Sequence, residues 1–171
     1  MKTLILLRHA KSDWSEPGLA DHDRPLAARG REAAPKMGAW LKTHGPMPEL
    51  VLCSTATRAR QTLALALDAL GAEPKTRFDR GLYLAGGAGV LTRLRQAPDT
   101  AAAVLVVGHN PDLEQLARRL ATTGDEGALA RLAEKYPTAG LAVIELPVER
   151  WAEAGPGGRL VAFETPRTAK S

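Results

Sequence analysis

The sequence predicts an α/β fold: a three-layer α/β/α sandwich whose sheet is mostly parallel, with an antiparallel late strand. Three observations carry this. Short apolar runs without charge, such as Leu4-Ile5-Leu6-Leu7 and Val104-Leu105-Val106-Val107, have the length and composition of strands buried on both faces. Segments with helical spacing alternate with these runs, which is the pattern of successive crossover units. Near the C-terminus, Leu141–Leu146 and Leu160–Glu164 flank the turn Gly155-Pro156-Gly157-Gly158 and read as a hairpin, so part of the sheet is antiparallel.

Each element follows in order. Lys2–Leu7 is a buried strand, and His9–Arg24 is a long polar loop holding Trp14, Pro17 and Gly18. From about Ala27 to Lys42 the spacing is helical, with Ala33, Met37, Trp40 and Leu41 on one face. Pro35 removes an amide donor inside that pattern and is expected to bend or break the helix. His44-Gly45-Pro46 ends it. Leu50–Cys53 is a second strand, Thr57–Leu70 a helix stopped by Gly71, and Thr76–Phe78 a brief third strand. Gly86-Gly87-Ala88-Gly89 leads into a helix near Val90–Arg95, and Ala102–Val107 is the clearest central strand. Asn110 as N-cap and Pro111 at the first helical position start a helix that runs to about Ala121. Thr122–Thr138 is the least regular stretch and reads as a lid-like insertion. With no repeat, low-complexity segment or linker, residues 1–171 are expected to form a single domain.

Composition narrows the function classes. Hydrophobic residues make up 44% of the 171, which argues against disorder, while only 4% are aromatic, so Leu, Val and Ala must build the core. The net charge of +4 comes without a run of five Lys or Arg, so nucleic acid is not the expected partner. Arginines gathered around an anionic substrate explain the excess equally well. Cys53 is the lone cysteine and reads as a small buried core residue, so no disulfide forms within the chain. No apolar run approaches ~20 residues and Thr3–Leu7 is too short for a signal h-region. A cytoplasmic protein without a membrane partner is expected.

Arg8-His9, where the first strand meets its loop, is the most informative pair in the chain. A neutral imidazole attacks phosphorus, and the phosphoramidate it forms hydrolyses readily. Neighbouring arginines keep the ring unprotonated, and its second nitrogen must donate to a fixed acceptor so that the attacking one keeps its lone pair. A second strand ends in Gly108-His109-Asn110-Pro111, where His109 suits a hydrogen-bond donor, a base or a metal ligand. A third ends in Ser54-Thr55-Ala56-Thr57-Arg58-Ala59-Arg60-Gln61-Thr62, which opens a helix. Arg58 in that first turn opposes the helix dipole, a local cost that points to function. Arg60 lies about 200° further round and faces elsewhere. In open α/β sheets ligands sit beyond the carboxyl ends of the strands, so His9, Ser54 and His109 are placed to converge. Asp21-His22-Asp23-Arg24-Pro25-Leu26 is a further charged cluster before the first helix. Gly86–Gly89 is neither a Walker A loop nor a dinucleotide fingerprint. The four histidines lack short metal-ligand spacing, leaving a zinc site from His9, His22 and His109 as a distant option.

In this order and spacing the segments Leu7-Arg8-His9-Ala10-Lys11-Ser12, Asp21–Leu26 with Gly30, Ser54–Thr62, Leu82-Tyr83, Val107–Pro111 and Pro137-Thr138-Ala139 resemble the histidine phosphatase superfamily. That is the phosphoglycerate-mutase-like fold, and the match is nearest to its small SixA-type branch of phosphohistidine phosphatases. The resemblance covers roughly residues 2–146. It implies that His9 is the phosphorylated nucleophile, that Arg8, Arg58 and His109 bind the phosphoryl group, and that Arg24 is an additional arginine of the branch. Asp21 is then its partner or a proton donor. No metal or cofactor is implied, because positive side chains take the role magnesium has elsewhere.

Two departures matter. Where the mutases and broad phosphatases carry an acidic general acid, this chain has Asp79-Arg80-Gly81-Leu82-Tyr83-Leu84, which offers Asp79 without the familiar Glu context. An alkoxide leaving group needs a proton in the transition state, whereas an imidazole with its second nitrogen protonated does not. The weak acid therefore tilts the expectation toward phosphohistidine in a protein partner. Ala27 also stands where Thr or Ser often follows Pro-Leu, so the first helix is expected to lack a side-chain cap. Two other readings compete. A small-molecule phosphomonoesterase predicts efficient turnover of a sugar or nucleotide phosphate, and a non-catalytic module predicts tight phosphoprotein binding without product.

Overall fold

A computed structural model describes residues 1–169, so the last two residues of the expected 1–171 unit lie outside the described residues. Its strands are β1 (Lys2–Arg8), β2 (Leu50–Ser54), β3 (Lys75–Asp79), β4 (Ala103–Gly108), β5 (Ala121–Gly124), β6 (Leu141–Leu146) and β7 (Gly158–Glu164). Its helices are α1 (Ala28–His44), α2 (Thr57–Leu70), α3 (Gly86–Leu94), α4 (Asp112–Leu120) and α5 (Glu126–Glu134). All seven strands share one sheet in the order β3-β2-β4-β1-β6-β7-β5. β6 runs antiparallel to β1 and β7, and the other pairings are parallel.

The strand period of two divides the apolar runs between two cores. Leu4, Leu6, Val104 and Val106 face α3, α4 and α5, where Leu91, Leu94, Leu113, Leu116 and Leu132 are buried. Ile5, Leu7, Leu105 and Val107 face α1 and α2, against Met37, Leu41, Leu63 and Leu70. The central strands are therefore covered on both sides, as their uniformly apolar sequences require. No helix among the described residues is long and apolar enough to cross a membrane.

Three expectations are corrected. The helix from Ala28 runs unbroken through Pro35 to His44. One missing hydrogen bond is outweighed there by a buried face of Ala34, Met37, Gly38 and Leu41 against α2. Asn110 is not the N-cap of α4: Pro111 holds that position, and Asn110 Oδ1 instead accepts from the Glu114 amide at 3.2 Å. Thr122–Thr138 is not a lid. β5 adds an edge strand parallel to β7, and α5 buries Ala128 and Leu132 in the core. Asp125 caps α5 by accepting from the Ala128 amide at 2.9 Å, the one local signal that announced this helix. Ala27, as expected, gives α1 no side-chain cap.

The contact of α1 with α2 depends on Gly38, because a Cβ there would overlap the Ala66 carbonyl. Gly38→Ala is expected to cost about 1–3 kcal/mol by forcing the helices apart. Thermal denaturation should then show Tm lowered by roughly 3–10 °C.

Candidate active site

The ends of β1, β4 and β2 lie side by side, with Arg8 opposite Gly108 and Cys53 opposite Val107. This register brings Arg8-His9, His109 and Ser54 within two strand spacings, roughly 10 Å. The His9 and His109 ring centroids are 5.2 Å apart. His9 is clamped through its backbone: its amide donates to the Gly108 carbonyl and its carbonyl accepts from the Ala139 amide, both at 3.0 Å. Its ring Nδ1 lies 2.8 Å from the Ala10 carbonyl oxygen. A carbonyl only accepts, so Nδ1 carries the proton and Nε2 keeps the lone pair. Burial, reinforced by the nearby His109, Arg58 and Arg8, pulls the His9 pKa down to about 3, so the ring is neutral at physiological pH.

Thr62 fixes the loop to α2. Its hydroxyl donates to the Arg58 carbonyl at 2.7 Å and accepts from the Ala10 amide at 2.9 Å. Arg58 is buried and points back toward Asp21, donating Nη1 to the Asp21 carbonyl at 2.7 Å and Nη2 to its carboxylate at 3.0 Å. The same carboxylate accepts from Arg24 Nε at 3.1 Å and from the Tyr83 hydroxyl at 2.6 Å. The Tyr83 hydrogen bond first, and then the two arginines, hold Asp21 far below the usual carboxylate range. Asp21 is thus a fixed anion that aligns three donors. Arg24, also buried, gives Nη1 to Ser12 and to the Asp13 carbonyl and reaches the cluster through Asp21. Arg8 donates Nη1 to the Tyr136 carbonyl at 2.9 Å.

Among the described residues three buried nitrogens have no hydrogen-bond partner: Arg8 Nε, Arg58 Nε and His109 Nδ1. An orphaned buried donor costs about 1–3 kcal/mol, and all three belong to residues that act electrostatically on the His9 ring. The third is a donor because of Ser54, which is fully buried. The Ser54 hydroxyl accepts from the Ala56 amide at 3.2 Å and lies 2.8 Å from His109 Nε2. Its own proton has no other acceptor, so it donates to Nε2, and the His109 proton sits on Nδ1. Burial, then Arg58, lowers the His109 pKa to about 4, keeping this ring neutral as well. Ser54→Ala is expected to move the His109 proton toward Nε2, read as exchanged 15N chemical shifts of its two ring nitrogens. A spectrum unchanged from the parent would remove this role for Ser54.

The other sequence candidates lie elsewhere. His22 turns to Thr55, 2.8 Å from its hydroxyl, and packs edge-on against Tyr83. Asp79 accepts from the Gly81 amide and pairs with Arg93 at 3.1 Å, with no contact to either pocket histidine. Trp14 is 69% exposed, with the Arg24 guanidinium 3.4 Å from its ring centroid. Cys53 is buried in the core, and Arg60 faces Phe78. No group of three or more His, Cys, Asp or Glu among the described residues is arranged to hold a metal ion. Ser54, Thr62, Tyr83 and Tyr136 had no role assigned from the sequence. Their weight comes from the contacts Thr62–Ala10, Ser54–His109, Tyr83–Asp21 and Tyr136–Arg8, which span 52, 55, 62 and 128 positions and which no local pattern displays; Ser54 alone carried a hint, as a polar residue ending an apolar strand.

Comparison with known proteins agrees with this geometry. The model of the histidine phosphatase superfamily (branch 1) matches residues 4–82. An uncharacterized protein of Mycobacterium tuberculosis (strain H37Rv) is 44% identical over 164 residues, covering 94% of this chain and 100% of that protein. A structure described as a proposed SixA phosphohistidine phosphatase from Nakamurella multipartitia has 34% identity and a TM-score of 0.82, with 96% of each chain covered. A counterpart from Agrobacterium tumefaciens has 31% identity and a TM-score of 0.78, covering 96% of this chain and 99% of the other. The chain is therefore a phosphatase and belongs to the SixA-type branch of the histidine phosphatase superfamily.

Proposed function

We propose that this phosphatase removes the phosphoryl group from phosphohistidine in a protein, through a covalent intermediate on His9 and without a metal. The observation that supports it is the set of three unpaired buried donors around an imidazole whose Nδ1 is already engaged. In this reading the Nε2 lone pair of His9 attacks phosphorus, and the P–N bond to the substrate ring breaks. The electron pair returns to that ring, which leaves as neutral imidazole because its second nitrogen already holds a proton. Water then attacks phosphorus, and the P–Nε2 pair returns to His9. Arg8, Arg58 and the His109 Nδ1–H neutralise the equatorial oxygens throughout.

The choice of leaving group rests on the acids. Asp21 stays ionised between two arginines and Tyr83, and Asp79 is occupied by Gly81 and Arg93. Neither is poised to protonate an alkoxide, which favours a phosphoramidate over a phosphate monoester. A substrate panel in excess chelator tests this: a phosphohistidine peptide should turn over, while sugar and nucleotide phosphates should not. Efficient hydrolysis of a sugar phosphate would instead establish the small-molecule reading.

The pH dependence follows from the two low histidine values. Because His9 titrates at about 3, kcat/KM should show no loss of nucleophile between about pH 7 and about pH 5. Stability behaves differently. Below 6.5 the unfolded chain binds protons that folded His9 and His109 refuse, so stability is fully present above 6.5 and declines as pH falls, to about 4 for His109 and about 3 for His9. Melting curves across that window should show a falling Tm while activity persists.

A further inference from the structure

An open cleft of about 680 Å³ lies beside the histidine site, over the ends of β6 and β7. Sheet register fixes its position. Leu7 of β1 pairs with Leu141 of β6, and Leu141 pairs with Glu164 of β7. The cleft's Phe163 and Thr165 therefore stand at the same sheet end as His9, two strand spacings or roughly 10 Å to the side. One wall is Pro137-Thr138, a segment tied to the catalytic loop at both ends. The Tyr136 carbonyl accepts from Arg8, and the Ala139 amide donates to the His9 carbonyl.

The lining is strongly basic. α1 supplies Arg29 and Lys36, the α5 region supplies Arg131 and Lys135, and Arg167 follows β7; the one carboxylate is Glu134. Five cations against one anion equal the formal excess of +4 of the whole chain. Arg131 is engaged with the Phe163 carbonyl at 2.9 Å. None of the eight ion pairs among the described residues involves Arg29, Lys36, Lys135 or Arg167, and all four are exposed. Exposed cations that line one cleft repel one another and gain from an anionic partner.

The form of that partner can be read from the layout. A small anion is held by convergent buried donors, as at His9, whereas these side chains are long, exposed and spread over three elements. Phe163 is buried and offers no face on which a base could stack. We propose that this cleft docks an acidic segment of the phosphorylated protein while its phosphohistidine enters the His9 site, an inference that rests on the phosphohistidine reading of that site. The cleft supplies affinity and encounter rate, and the buried site supplies chemistry.

Two measurements test it. The first is fluorescence-anisotropy binding of an unphosphorylated Glu-rich peptide and of a single-stranded oligonucleotide. The second is kcat/KM on phosphohistidine peptides with neutral or Glu-rich flanks. The parent should bind the Glu-rich peptide, and should favour the Glu-rich substrate by about tenfold through KM at low salt, an advantage that high salt removes. Lys36→Glu/Arg167→Glu should erase both effects and leave turnover of the neutral peptide unchanged. Equal kcat/KM on the two substrates, a preference that survives the double reversal, or tighter binding of the oligonucleotide overturns the docking proposal. Charge-dependent peptide binding with no turnover of either phosphohistidine peptide overturns the functional reading while leaving the cleft's selectivity for acidic segments intact.

Discussion

His9→Gln is expected to lower kcat/KM on a phosphohistidine peptide by on the order of 10⁴-fold or more, because the proposed covalent intermediate forms on its Nε2. The substitution should leave the fold in place. Both clamping bonds of His9 use its backbone, to Gly108 and from Ala139, and survive any side-chain change. What is lost is the Nε2 lone pair, which the Ala10 carbonyl holds in position by accepting a hydrogen bond from Nδ1–H. Acid-quenched trapping of labelled phosphate gives the direct measure. The parent should retain label on His9, and the variant should retain none while keeping a near-parental Tm. Label that persists on the variant would transfer the nucleophile's role to another residue, with His109 the nearest imidazole at 5.2 Å.

How far the sequence reaches can be seen from which residues it exposes. Continuous apolar runs such as Leu4-Ile5-Leu6-Leu7 located the strands, and the structure then divides each run between the two cores. Arg8, His9, Arg58 and His109 stood out because each is a polar residue just beyond such a run, where the fold gathers strand ends. Asp21 was expected as the partner of Arg24 or as a proton donor, and it does pair with Arg24, but its bonds to Arg58 and to Tyr83, 62 positions away, lay outside any local pattern. Ser54 likewise sets a tautomer only after β2 and β4 pair through register with one strand end. The stretch 122–138 was misread for a local reason. β5 is four residues of Ala-Thr-Thr-Gly with no apolar alternation, and α5 is nine residues that bury only Ala128 and Leu132. Elements that short draw their definition from neighbours rather than from their own pattern.

Arg58→Ala is expected to reduce kcat/KM by about 10²–10³-fold, the usual effect of removing one donor from a preorganised anion site. The loss has two parts that can be measured separately. First, the phosphoryl group loses a cation whose Nε is buried and free of protein partners. Second, both imidazoles lose a neighbour that disfavours their protonation, so the His9 and His109 pKa values should rise from about 3 and about 4. An NMR titration of the ring protons reads that rise independently of turnover. Arg58→Lys should restore little activity. The native guanidinium spans two acceptors of one residue, the Asp21 carbonyl at 2.7 Å and its carboxylate at 3.0 Å, while keeping Nε for the pocket. A lysine ammonium is a single point on a flexible stem and cannot serve all three directions. Asp21→Asn separates alignment from proton donation. If Asp21 aligns Arg58, Arg24 and Tyr83, the variant should lose activity by about tenfold with an unchanged pH profile. If the profile instead loses a limb, Asp21 carries the proton, and the argument that the leaving imidazole needs none would fall with it.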